Sequence, residues 1–124
     1  MEYSVLMTVY EKDNPEYFRK ALMSMVKQTK KADEIVVVKD GPITRELQSV
    51  LDDIDKKNPN LIVQVQLPVN KGLGLALNEG IKVCKNELLA RMDADDISLP
   101  TRCEKQVEQF ENNPDLDIIG CPVI

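Results

Sequence analysis

Apolar residues along the chain follow two alternating spacings. SVLMTV (4–9), EIVVVK (34–39), LIVQVQL (61–67) and ELLARM (87–92) are short runs, β-branched or continuously apolar, and read as strands. Three of them have the pattern of strands buried on both faces of a parallel sheet. LIVQVQL alternates more strictly, which predicts one face nearer solvent and an edge position. Between the strands the period lengthens to that of helices. Phe18, Ala21, Leu22, Met25 and Val26 share one stripe, with Asn14 placed as N-cap and Pro15 at the first helical position. Ile43, Leu47, Val50, Leu51 and Ile54 form a second stripe, ended by Asn58-Pro59. A third helix is predicted from Leu73 to Cys84. A fourth begins near Pro100, turns Cys103, Val107 and Phe110 inward, and stops at Asn113-Pro114.

With the closing apolar run DIIGCPVI as a fifth strand, the order is β-α-β-α-β-α-β-α-β. Strands alternating with helices predict right-handed crossovers and an α/β fold, a Rossmann-like three-layer α/β/α sandwich around a mainly parallel sheet. No low-complexity linker or internal repeat interrupts the 124 residues, which suffice for a single domain. The chain stops inside an apolar run, whereas natural termini are usually solvated, so residues 1–124 are expected to be the first part of a longer protein.

Composition narrows the chemistry. The formal charge is −5 and there is no long Lys/Arg run, which argues against nucleic acid or an anionic membrane surface as the main partner. The chain has no histidine, which removes the commonest general base and every His-containing metal site. Cys84, Cys103 and Cys121 are odd in number, far apart and in apolar context, so they read as reduced core thiols. The N-terminus lacks the pattern of a signal peptide, and no apolar stretch approaches the ~20 residues of a membrane span. A cytoplasmic location is the expectation.

In open α/β sheets ligands bind beyond the carboxyl ends of the strands. The residues following the four strands are Thr8-Val9-Tyr10-Glu11, Asp40-Gly41-Pro42, Asn70-Lys71-Gly72-Leu73-Gly74 and the cluster Asp93-Ala94-Asp95-Asp96. Periodicity alone thus brings four polar or glycine-containing turns to one rim. Two carboxylates about 5 Å apart repel by about 3 kcal/mol at an effective dielectric of about 20, and a divalent cation removes that cost. Oxygen ligands without His or Cys favour Mg²⁺ or Mn²⁺ over Zn²⁺. The cluster also suits a plainer role, as acidic residues ahead of the helix that starts near Pro100. Gly72 and Gly74 open a helix whose N-terminus favours an anion, or else simply form a tight turn. Asp40 is placed either to accept a hydrogen bond from a nucleobase N–H or to shape its turn. Lys39, Lys71, Arg91 and Arg102 are candidate partners for a diphosphate.

MTVYEKD, EIVVVKDGP, NKGLGLALNEGI and ARMDADDISLPTR together resemble the nucleotide-binding half of a family 2 glycosyltransferase with the GT-A fold. The wording is closest to bacterial enzymes of capsule and exopolysaccharide synthesis, and it runs in register from about residue 3 to the end. The resemblance implies that Thr8, Tyr10, Glu11 and Asp40 hold the nucleobase and ribose. It implies that Asn70, Lys71 and Gly72 complete the nucleotide pocket. It further implies that Asp93 and Asp95, with Asp96 as neighbour, bind Mn²⁺ or Mg²⁺ and the sugar diphosphate. The implied reaction transfers a sugar from a nucleoside-diphosphate sugar, often UDP-linked, to a saccharide or lipid-linked saccharide acceptor, with inversion. The family's catalytic base and acceptor-binding half lie downstream, so the base is expected beyond Ile124 and the 124 residues alone are expected to be inactive. Lipid-linked acceptors would bring the protein to the cytoplasmic face of the inner membrane, and the end of the sheet offers an edge for self-association. Two competing readings are a DxD phosphatase and a non-catalytic nucleotide-binding or receiver-type α/β domain. Both receiver domains and these phosphatases place their acidic residues after the first strand, where this chain has Glu11.

Overall fold

The structure is a computed structural model that describes residues 2–112. Four strands, β1 (Ser4–Val9), β2 (Glu34–Lys39), β3 (Ile62–Gln66) and β4 (Leu89–Met92), alternate with helices α1 (Pro15–Val26), α2 (Arg45–Lys57), α3 (Leu73–Val83) and α4 (Arg102–Asn112). All strand pairs are parallel, and the sheet order is β3-β2-β1-β4. The chain therefore steps from β1 to β2 to β3 on one side, then crosses back to lay β4 beside β1.

Side-chain alternation sorts the core into two layers. Val5, Met7, Val9, Ile35 and Val37 pack with α1, α2 and α4 on one face of the sheet. Leu6, Val36 and Val38 meet Ala76 of α3 on the other. The three-layer α/β/α expectation holds, with three helices against one. Helix α3 approaches closely because Gly80 has no side chain: a Cβ there would lie 2.3 Å from Leu6 Cδ1 and 2.8 Å from Val38 Cγ2.

The cap of α1 follows the sequence. Asn14 accepts hydrogen bonds from the Glu16 and Tyr17 amides, and Pro15 follows at the first helical position. Thr44 caps α2 through the Leu47 amide, so α2 starts at Arg45 and Ile43 precedes it, packed against the core. Helix α4 begins at Arg102, two residues beyond Pro100, and Phe110 is only half-buried. Buried Gln28 fixes its entry, accepting from the Cys103 amide at 2.8 Å and donating to the Leu99 carbonyl at 2.8 Å.

Among the described residues strand β3 lies at the sheet edge, as its alternation predicts. ELLARM departs from expectation. Strand β4 covers only Leu89–Met92 and pairs only with β1 among the described residues, so it alternates, with Ala90 and Met92 buried and Arg91 exposed. The stop at Asn113-Pro114, the strand expected in DIIGCPVI and Cys121 lie outside the described residues.

Candidate functional site

The order β3-β2-β1-β4 puts the topological switch point between β1 and β4, where the outgoing connections part and leave a crevice at the strands' carboxyl ends. A cleft of about 320 Å³ lies there. Thr8, Val9, Tyr10 and Asp13 line it from the end of β1 and the turn beyond. Asp40 contributes from β2, and Asn70, Gly72 and Leu73 from the approach to α3. Asp93, Ala94 and Asp95 close it from β4. The four segments expected on one rim therefore meet in one cleft.

Asp40 is the best-defined side chain of the site. It is 6% exposed, and its two oxygens accept the Lys71 amide at 2.7 Å and the Gly72 amide at 3.2 Å. Gly72 caps α3 with φ of +90° and no side-chain hydrogen bond of its own. The carboxylate of Asp40 is therefore the anion at the N-terminus of α3, a place the sequence offered to a ligand. Gly41 makes the approach possible: its φ is +86°, and a Cβ on it would sit 2.6 Å from the Asn70 nitrogen.

The β4 segment is anchored in the core and open to the cleft. Ala94 is buried between Asp93 and Asp95, and the Asp96 amide turns back to the Asp93 carbonyl at 3.3 Å. Further along, buried Ser98 receives α1 through its amide and the Ser24 hydroxyl at 3.1 Å. Partial desolvation, then the charges of Asp93 and Asp95, raise the Asp96 carboxyl above the usual carboxylate range. Burial likewise raises Asp13; the Tyr10 amide pulls it back, and Asp95 and Asp93 push it up again.

Not every expected residue reaches the cleft. Thr8, Tyr10, Asp40, Asn70, Gly72, Asp93 and Asp95 line it, whereas Glu11 and Lys71 are exposed outside its lining and half-buried Asp96 is not part of it. Lys71 takes part through its backbone amide alone. The basic candidates are absent from the cleft's lining. Lys39 Nζ donates to Gln48 at 3.2 Å and Gln64 at 3.1 Å. Arg102 donates to the Ser98 hydroxyl at 3.0 Å and the Arg91 carbonyl at 2.9 Å. Arg91 pairs with Asp93 at 3.3 Å, on the exposed side. Among the described residues the cleft thus has carboxylates and no lysine or arginine in its lining. Sequence reasoning missed Asp13; its only signal was an acid three residues after Tyr10 in the same turn.

The donor set fits a hard divalent cation. Asp93 and Asp95 offer carboxylate oxygens, and no group of three or more potential ligands assembles among the described residues. An ion held by two carboxylates keeps positions for substrate oxygens and water, the usual arrangement for Mg²⁺.

The model of a family described as glycosyl transferase family 2 matches residues 4–124. The chain belongs to that family. A glycosyltransferase of Haemophilus influenzae is 47% identical over 97% of this chain and 44% of its own length. The amylovoran biosynthesis glycosyltransferase AmsE of Erwinia amylovora is 43% identical over 98% and 45%. A UDP-Gal:alpha-D-GlcNAc-diphosphoundecaprenol beta-1,3-galactosyltransferase of Escherichia coli is 39% identical over 96% and 42%. The chain thus spans less than half the length of these relatives. Among solved structures, S. aureus TarS 1–349 in complex with UDP superposes with a TM-score of 0.78 at 23% identity, covering 98% of this chain and 38% of that one. The Pyrobaculum calidifontis mannosyltransferase PcManGT, in complex with GDP-Man and Mn²⁺, gives 0.78 at 19% identity over 88% and 32%. The fold of this family 2 glycosyltransferase chain is GT-A.

Proposed function

We propose that the cleft binds the nucleoside-diphosphate part of a sugar donor, UDP-linked, with a divalent cation. The supporting observation is the cleft's lining. Among the described residues Asp13, Asp40, Asp93 and Asp95 face it and no lysine or arginine does, so a diphosphate brings negative charge to a negative surface. A divalent cation reconciles the two. Asp93 and Asp95 would hold Mn²⁺ or Mg²⁺, which when bound acts as a Lewis acid on the departing diphosphate. Thr8 and Tyr10 bound the nucleobase and ribose end. Asp40 keeps its two oxygens on the Lys71 and Gly72 amides and retains lone pairs for a base N–H. UDP in the TarS complex and UDP-Gal in the name of the Escherichia coli relative support the choice of nucleotide.

In the whole protein the reaction is sugar transfer to an acceptor hydroxyl, with inversion, in bacterial surface polysaccharide synthesis. A lipid-linked saccharide acceptor would place it in the cytoplasm at the inner membrane, where association would be peripheral; among the described residues no helix is long and apolar enough to cross a membrane. The base that takes the acceptor's proton is proposed to lie outside these residues, so the 124-residue chain alone is expected to bind donor without transferring sugar. Calorimetric titration of UDP with Mn²⁺ tests the reading. Binding should appear with Mn²⁺ and vanish with EDTA or in Asp95→Ala. A folded protein that binds no UDP overturns the nucleotide assignment, and equal binding in EDTA overturns the metal's part. Sugar transfer to an acceptor by these 124 residues would overturn the assignment of acceptor chemistry elsewhere.

A further inference from the structure

We propose that Asp13 is a positioning residue of this cleft, fixing Tyr10 at the nucleobase end. The proposal rests on the nucleotide-binding reading above. The β1–α1 connection is short: β1 ends at Val9, and Asn14 already caps α1. Tyr10 is the first residue beyond the sheet and is 39% exposed, so the core holds it less firmly than the strand residues before it. The constraint comes from Asp13. Its Oδ2 accepts the Tyr10 amide at 2.9 Å, and its own amide donates to the Tyr10 carbonyl at 3.1 Å. Both backbone polar groups of Tyr10 are thus tied to one residue. A hydrogen bond to a carboxylate is of the stronger, charge-assisted kind. Asp13 is half-buried and lines the same cleft, so the tie lies where ligand is expected to sit.

An alternative part for Asp13 is electrostatic, as a third carboxylate beside Asp93 and Asp95 at the diphosphate end. The two parts separate experimentally. The tie itself is read without ligand, by amide exchange at Tyr10. Exchange should speed up at least tenfold in Asp13→Ala and stay slow in Asp13→Asn, whose side-chain oxygen can still accept. Unchanged exchange in the folded Ala variant overturns the proposal. Calorimetry then compares UDP with inorganic pyrophosphate, each with Mn²⁺. Asp13→Ala should weaken UDP about fivefold to tenfold, the range expected for one lost hydrogen bond. Pyrophosphate should bind as well as before or better, and Asp13→Asn should recover most of the UDP affinity. In a Tyr10→Ala background the Asp13→Ala change should have little further effect. Equal losses for UDP and pyrophosphate, or additive losses with Tyr10→Ala, overturn it. Failure of the wild-type protein to bind UDP would strike the nucleotide reading, while the exchange result stands on its own.

Discussion

Arg91 and Asp93 form an exposed ion pair two residues apart, at the mouth of the proposed cation site. A cation entering there competes with the guanidinium for the Asp93 carboxylate and is also repelled by it. An exposed pair is worth roughly 0.2–1 kcal/mol, so Arg91→Ala should tighten Mn²⁺ binding by about twofold to fivefold. Unchanged or weaker Mn²⁺ binding in that variant, read by calorimetry, would show that Arg91 does not compete with the metal for Asp93. A second residue gives a pH-dependent prediction. Burial, reinforced by Glu34, pushes the Cys84 thiol up to about 11. Folding therefore favours its neutral form, and this contribution is present below the ordinary thiol value and lost as pH rises toward 11. Alkylation of Cys84 by iodoacetamide should be slow at pH 8 and accelerate up to about pH 11. A thiol that reacts at pH 8 like a free cysteine contradicts this.

Two glycines govern how α3 sits, and they differ in what surrounds them. At Gly80 an added Cβ meets the ends of the Leu6 and Val38 side chains, which lie in the core at 2% and 0% exposure. Overpacking of this kind costs about 1–3 kcal/mol, and the better helix propensity of alanine returns less than about 1. Gly80→Ala should lower urea-unfolding stability by about 1–2 kcal/mol while α3 shifts outward. At Gly41 the added Cβ meets backbone, 2.6 Å from the Asn70 nitrogen, and the positive φ adds strain. Gly41→Ala should therefore destabilise more than Gly80→Ala, and it should also free the Lys71 and Gly72 amides to exchange. The reverse order of stabilities would overturn the assignment of Gly41 as a backbone contact. At this scale much was legible. Central strands β1 and β2 are buried on both faces, so their apolar runs are continuous, and Asn14 caps α1 as predicted. Less legible was ELLARM, because its burial depends on which strands flank it rather than on its own residues.

Across the whole molecule the two faces of the sheet are unequally protected. Among the described residues, helices α1, α2 and α4 share one continuous core, whereas α3 alone covers the other face and leaves Leu75, Ile81 and Val83 exposed. Regions with fewer buried apolar contacts open locally before the global transition. Amides of α3 should exchange through such openings, at lower urea than those of α1. Identical exchange free energies for the two helices would refute that asymmetry. The same long-range view explains which site residues the sequence concealed. The convergence of four strand ends was readable from periodicity, but Lys39 is withdrawn by glutamines 9 and 25 residues away. Arg102 is held by Ser98 and the Arg91 carbonyl, and Asp13 resembles any solvated loop acid until the fold brings it into one cleft with Asp93 and Asp95.

The carboxylate of Asp40 bears on any attempt to change donor preference by directed evolution. Residues proposed to contact the nucleobase are the natural positions to randomise, yet Asp40 also holds the Lys71 and Gly72 amides at the start of α3. Most replacements there would be discarded for poor folding before any difference in nucleotide choice could be selected. Thr8 and Tyr10 border the same cleft without that second duty toward α3, so a library that varies them around a constant Asp40 would sample recognition rather than stability.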